Sequence, residues 1–155
     1  MARFYQDPRD SALQNLGVRV NKGAATLPAT GNQTIFTVQG GRVLVKLLYG
    51  EVTTVIQSQS CNLKVTSSPA VGTAVDLAAN LDINADEAGC LYLVEGDGTA
   101  LVGANAGAAL NALGESGFIV PAGEIRITTS ATNTGATKWQ IWYVPLDDGA
   151  SVISG

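Results

Sequence analysis

VPAGEIRITTSATNTGATKWQIWYVPLDDGA, residues 120–150, carries both tryptophans of the chain and decides how the rest is read. Glu124-Ile-Arg-Ile-Thr-Thr alternates polar and apolar side chains, the period-2 pattern of a strand with one buried face. Ala131-Thr-Asn-Thr-Gly-Ala follows, and Asn133 and Gly135 are residue types that tolerate the positive φ of a tight reversal. Residues 138–145 then run back, so the stretch predicts a β-hairpin. Alternate side chains of a strand point to opposite faces. Trp139, Ile141 and Tyr143 therefore share one face, while Lys138, Gln140, Trp142 and Val144 share the other. The first set has the composition of core. The second sets a large aromatic beside a cation and an amide, which a plain solvent face does not need. Because Trp is enriched at the buried centres of interfaces, Trp142 is expected under another chain, or inside a core that wraps both faces of its strand.

Outward from this stretch the strands continue. Alternating or apolar runs cover 34–38, 42–49, 52–56, 61–66, 89–94, 99–102 and 118–120, with Gly50 expected to interrupt the second and third. Residues 75–83 fit either a short strand pair or a distorted turn, and 104–117 is an Ala-, Asn- and Gly-rich loop with at most a short helix at 108–113. Strands at intervals of roughly ten residues are the rhythm of a sandwich or barrel. The expectation is all-β: a single β-sandwich or barrel over residues 32–155. Residues 1–31 lack a sustained period and are broken by Pro8, Gly17, Gly23, Pro28 and Gly31. They predict an extended, irregular N-terminal arm that leaves the sandwich. Its apolar anchors are Phe4, Tyr5, Leu13 and Leu16, with Arg3 and Arg9 to steer it toward an acidic surface.

Charge and composition narrow the chemistry. The chain has 155 residues, enough for one domain with a hydrophobic core, and 14% of them are charged. There is no histidine, which removes His-activated nucleophiles and the usual zinc sites. Cys61 and Cys90 lack Cys-x-x-Cys spacing and read as buried apolar thiols. Asp82-Ile-Asn-Ala-Asp-Glu-Ala resembles half a calcium loop, but Glu87 stands where such a loop needs Gly, and Leu93 where it needs a bidentate Glu. Gly96-Asp-Gly98 meets Leu101 where a dinucleotide fingerprint wants its third Gly. Nothing sets Glu95, Glu115 or Glu124 opposite a partner carboxylate. The expectation is a protein without catalytic residues, metal, cofactor or small-molecule substrate. Residues 1–50 carry six Lys or Arg against two Asp, and residues 51–155 three against eleven acids. Such asymmetry suits a basic arm lying on an acidic neighbour. A single Lys138 among the aromatics is too little for nucleic acid. No run approaches the ~20 apolar residues of a membrane helix, and the start lacks the apolar segment of a signal peptide. Synthesis in a cytoplasm and no membrane partner are expected.

An AGEIRI strand, a Thr/Asn/Gly reversal and KWQIWYVPLDDGA together resemble the capsid decoration, or cement, proteins of tailed bacteriophages. The resemblance covers residues 120–150 and extends to the remainder only in style. It implies a single jelly-roll-like β-sandwich that sits as a homotrimer on the virion surface and clamps neighbouring major capsid subunits, with no catalytic residue. A second class, a tail or fibre module binding a receptor or glycan, would carry its site on long loops such as 105–117.

Overall fold

The computed structural model describes residues 16–96, 102–104 and 117–155. Its elements are strands: β1 (Val18–Thr26), β2 (Gly31–Gln39), β3 (Val43–Thr54), β4 (Asn62–Pro69), β5 (Val75–Asp82), β6 (Leu91–Leu93), β7 (Val102–Ala104), β8 (Phe118–Val120), β9 (Gly123–Thr129), β10 (Ala136–Pro145) and β11 (Ser151–Ser154). Two antiparallel sheets form from them. The first runs β1-β10-β3-β6-β7, with β8 also paired to β3, and the second runs β11-β2-β9-β4-β5. The chain is an all-β sandwich, as its alternation predicts.

The core lies between the sheets. Val43, Val45, Leu48, Tyr92, Trp139 and Ile141 come from the first, and Phe36, Val38, Leu63, Val65, Ile125 and Ile127 from the second. These are the inward members of alternating strands, and burying each apolar side chain contributes about 1.5–3 kcal/mol. Tyr92 is fully buried and donates its hydroxyl to Asp86 Oδ2 at 2.5 Å. Burial, and then that carboxylate, push its pKa far above the ordinary tyrosine value.

Three expectations need correction. The tryptophan stretch is not a hairpin: β9 pairs with β2 and β4, whereas β10 pairs with β1 and β3. Residues 130–135 carry the chain from one sheet to the other, and six residues easily span the ~10 Å between packed sheets. The turn-forming residues serve that crossing. Asn133 Oδ1 accepts the N–H of Gly135 at 2.8 Å and that of Gln57 at 3.4 Å, while Gly135 carbonyl accepts from Leu27 N–H at 2.9 Å.

Gly50 does not interrupt β3. It pairs with Trp139 of β10, and a Cβ there would lie 2.9 Å from the indole ring. The glycine gives the tryptophan room, and the strand continues through it.

The arm expected at 1–31 does not hold over its second half. Val18–Thr26 is β1, an edge strand bound to β10 from Val18↔Tyr143 to Thr26↔Ala136, with an irregularity between Lys22 and Ala25. The missing period reflects that bulge and the strand's mainly exposed side chains. Gly17 makes the entry with φ +90, where a Cβ would strike the Tyr143 carbonyl oxygen. Residues 1–15 of the expected arm, with Arg3, Phe4, Tyr5, Arg9 and Leu13, lie outside the described residues. At the other end, Ser151–Ser154 forms the edge strand β11 on β2, an element the sequence reading missed.

Candidate functional site

The outward faces of the two sheets differ in kind. On the second sheet, rows of polar side chains cross the strands and bond to each other. Asn32 Oδ1 accepts from Thr128 at 2.6 Å, and Glu124 Oε2 accepts from Thr34 at 2.9 Å and from the Arg126 guanidinium at 2.6 Å. Asp76 accepts from Lys64 at 3.1 Å and Thr66 at 2.9 Å. The Arg126 and Thr34 hydrogen bonds hold the Glu124 pKa below the ordinary value. For Asp76, partial burial acts upward, but the bonds from Lys64 and Thr66 outweigh it and the net shift is downward. These hydrogen bonds and ion pairs join the polar side chains of this face to one another.

The first sheet's outer face is built otherwise. Register places its side chains in four rows across β1, β10, β3 and β6 or β8. Arg19, Trp142 and Leu47 form one row, and Asn21, Gln140, Tyr49 and Leu93 the next. Lys138, Glu51 and Leu91 make a third, and Val144, Leu44 and Ile119 a fourth. Trp142 and Leu93 are buried at 7% and 5% exposure, yet neither belongs to the core between the sheets. Leu44, Leu47, Tyr49 and Leu91 are half-buried, and Ile119 is 61% exposed.

Trp142 sits on the outward side, as the alternation predicts, and its cover is internal. Arg19 of β1 lies over the indole with its guanidinium carbon 5.5 Å from the ring centroid, within cation–π range. Gln140 Oε1 accepts from both Trp142 Nε1 at 3.1 Å and Tyr49 hydroxyl at 2.7 Å, and its amide donates to Asn21 Oδ1 at 2.6 Å. One amide thus ties three strands together across the face. Lys138 Nζ pairs with Glu51 at 2.9 Å. Two shallow clefts mark the relief, one of about 360 Å³ along Leu47, Tyr49, Leu91 and Leu93, the other of about 310 Å³ between Asn21, Lys138, Gln140 and Glu51.

Of the residues expected at an interface, Trp142 belongs to this face. Leu16 is half-buried just ahead of Gly17. Arg3, Phe4, Tyr5, Arg9, Leu13 and the 105–116 part of the long loop lie outside the described residues. Sequence reasoning missed Arg19, Leu47, Tyr49, Leu91 and Leu93. A signal existed, since VLVKLLY (43–49) and CLYLV (90–94) are apolar at both parities, the mark of strands covered on both faces.

The carboxylates weighed as a calcium loop have other duties. Asp82 Oδ1 accepts the N–H groups of Cys61 at 3.1 Å and Asn84 at 3.2 Å, and Asp86 holds Tyr92. Cys61 and Cys90 are both buried.

No family model matches the chain, and no curated protein matches it. Among solved structures it is similar to one described as the structure of infectious bursal disease virus Gx strain, at 13% identity and a TM-score of 0.21. That likeness takes in 88% of this chain and 33% of the viral one, so the chain spans about a third of its length. Identity this low and superposition this loose leave the functional reading to the surfaces themselves.

Proposed function

We propose that the chain is a non-enzymatic virion structural protein that binds the outer capsid surface between major capsid subunits and stabilises the head. One observation carries the reading: a sandwich with one self-satisfied polar face presents, on the opposite side, half-buried leucines around Trp142 and Tyr49. Contiguous apolar surface rimmed by polar groups marks a protein contact. The likeness of residues 120–150 to decoration proteins supports the capsid as that partner and a homotrimer as the bound form.

The mechanism is mass action. A protein that binds assembled capsid and not free subunits stabilises the assembly by RT ln(1 + [L]/Kd), about 2.7 kcal/mol per site at a hundredfold excess over Kd. No bond is made or broken. The experiment adds purified protein to phage heads assembled without it, then measures co-sedimentation, copy number by mass spectrometry, and the temperature of genome release. Saturable binding with a raised release temperature is expected. Heads that neither bind the protein nor gain stability would overturn the proposal.

A further inference from the structure

The docking face has a charge opposite to that of the molecule. Arg19 and Lys138 project beside the apolar rows, and Lys46 stands at the β3 irregularity opposite the Trp142–Tyr143 step. Against these three cations the described residues of β1, β10, β3 and β6 set one carboxylate, Glu51, already paired with Lys138. The face is thus +2 in a chain of net charge −4, which leaves −6 on the rest.

That sign selects the occupant. A two-fold contact sets a patch against its own copy. Here it would bring Arg19, Lys46 and Lys138 of both chains together around an apolar centre, and like charges juxtaposed at an interface are penalised. Size points the same way. Seven-residue stretches of β1, β10 and β3, with the three-residue β6 and β8 sharing the fourth position beside β3, give a flat area of roughly 400 Å² at ~4.8 Å spacing and ~3.4 Å rise. A standard interface covers about 800 Å² on each partner, so a stable contact must reach past the leucines and take in the cationic rim. We infer that the outer face of the β1-β10-β3-β6 sheet docks a protein surface with an apolar centre and an acidic rim, and not a second copy of itself. This rests on the virion reading for where that surface lies, namely on the capsid, and it places any trimer contact elsewhere on the sandwich.

The experiment has three arms on the full chain, using wild type, the double reversal Arg19→Glu/Lys138→Glu, Leu47→Ser, and the opposite-face control Asn32→Asp, each checked for an unchanged β circular dichroism spectrum. In the first, the probe is 8-anilinonaphthalene-1-sulfonate, an apolar anion. Wild type and Asn32→Asp should bind it with energy transfer from tryptophan, and the reversal and Leu47→Ser should bind at least tenfold more weakly. No binding by wild type, or equal binding by the reversal, overturns the inference. In the second, co-sedimentation with heads should fall at least tenfold for the reversal and weaken with salt for wild type. Wild type and reversal binding heads equally overturns the inference while the virion function stands. Failure of wild type to bind heads, with dye binding sensitive to the reversal, overturns the virion function and leaves the chemistry of the face. In the third arm, sedimentation velocity should show the same oligomeric mass for wild type and reversal. Dissociation by the reversal would make a second copy the occupant and overturn the inference.

Discussion

Gly50 and Trp139 are a size-matched pair across β3 and β10. The indole occupies the space a side chain at 50 would take, and its Nε1 donates to Thr137 Oγ1 at 3.0 Å inside the core. Because Trp139 is 2% exposed, it has nowhere to move. Gly50→Val should therefore destabilise by about 1–3 kcal/mol through overpacking, read as a lower urea midpoint at unchanged slope. Gly135→Ala offers no such clean reading, since its Cβ would meet Ile56 within a connection rather than a strand pair. The second tryptophan depends on a surface residue. Arg19 covers Trp142, and Arg19→Ala should cost about 0.5–1 kcal/mol, the worth of a cation–π contact at an exposed site. The checking measurement is tryptophan emission, which should shift to the red as water reaches Trp142 while Trp139 stays dry. An unshifted spectrum would show that Arg19 contributes nothing to the cover.

At the level of elements, β1 shows how a strand escapes sequence reading. Its side chains are mostly exposed, its centre is bulged at 23–24, and its strand ladder is formed with β10, more than a hundred residues away. Periodicity reports burial, so a strand that buries little leaves little pattern. The crossing between β9 and β10 was illegible for a related reason. Alternation shows that two strands exist and which side chains share a face, but not which strand each will pair with. Asn133 and Gly135 serve a hairpin turn or a sheet-to-sheet crossing equally well. What alternation does settle it settled here: the inward set Trp139, Ile141 and Tyr143 is core, and Trp142 is outward. Because β1 both pairs with β10 and supplies Arg19, removing residues 1–26 should cost at least about 3 kcal/mol, the hydrophobic worth of one large side chain uncovered. For a chain of this size that is a melting-temperature drop of roughly 6–12 °C. A differential scan of the truncated protein checks it, and an unchanged melting temperature would mean that the edge strand is dispensable.

On the scale of the whole molecule, the difference between the two outer faces sets both what the protein can bind and how it responds to acid. The face rows could not be read from sequence, because each row draws one residue from each of three or four distant strands. Their pH response follows from the ion pairs. With no histidine in the chain, no side chain has an ordinary pKa between pH 5 and 8, so stability should be flat there. Below that range three carboxylates act together. Asp147 accepts the Arg42 guanidinium at 2.7 and 2.9 Å and the Arg42 backbone N–H at 2.7 Å, tying the β2–β3 turn to the β10–β11 connection. These bonds, the side-chain ones first, hold its pKa far below the ordinary 3.8. Glu124 is held below its ordinary 4.5 and Asp76 below 3.8. A carboxylate whose folded pKa is depressed gives up a proton more readily in the native state, so its contribution is present above the unfolded value and lost as pH falls through the folded one. Melting temperature should therefore hold from pH 7 to about 5, begin to fall near 4.5, and keep falling toward pH 2. Two of the three pairs, those of Glu124 and Asp76, sit on the outer face of the second sheet, so their loss in acid falls on the polar face. The sharper test compares variants. Arg42→Gln and Arg126→Gln should melt below wild type at pH 7, and the deficit should shrink as the partner carboxylate takes up its proton in wild type. For Glu124 the curves should converge first. For Asp147, whose pKa is held lowest, convergence should come only at the acid end of the series. A deficit that stays constant from pH 7 to pH 2 would show that these arginines contribute by packing and not by charge.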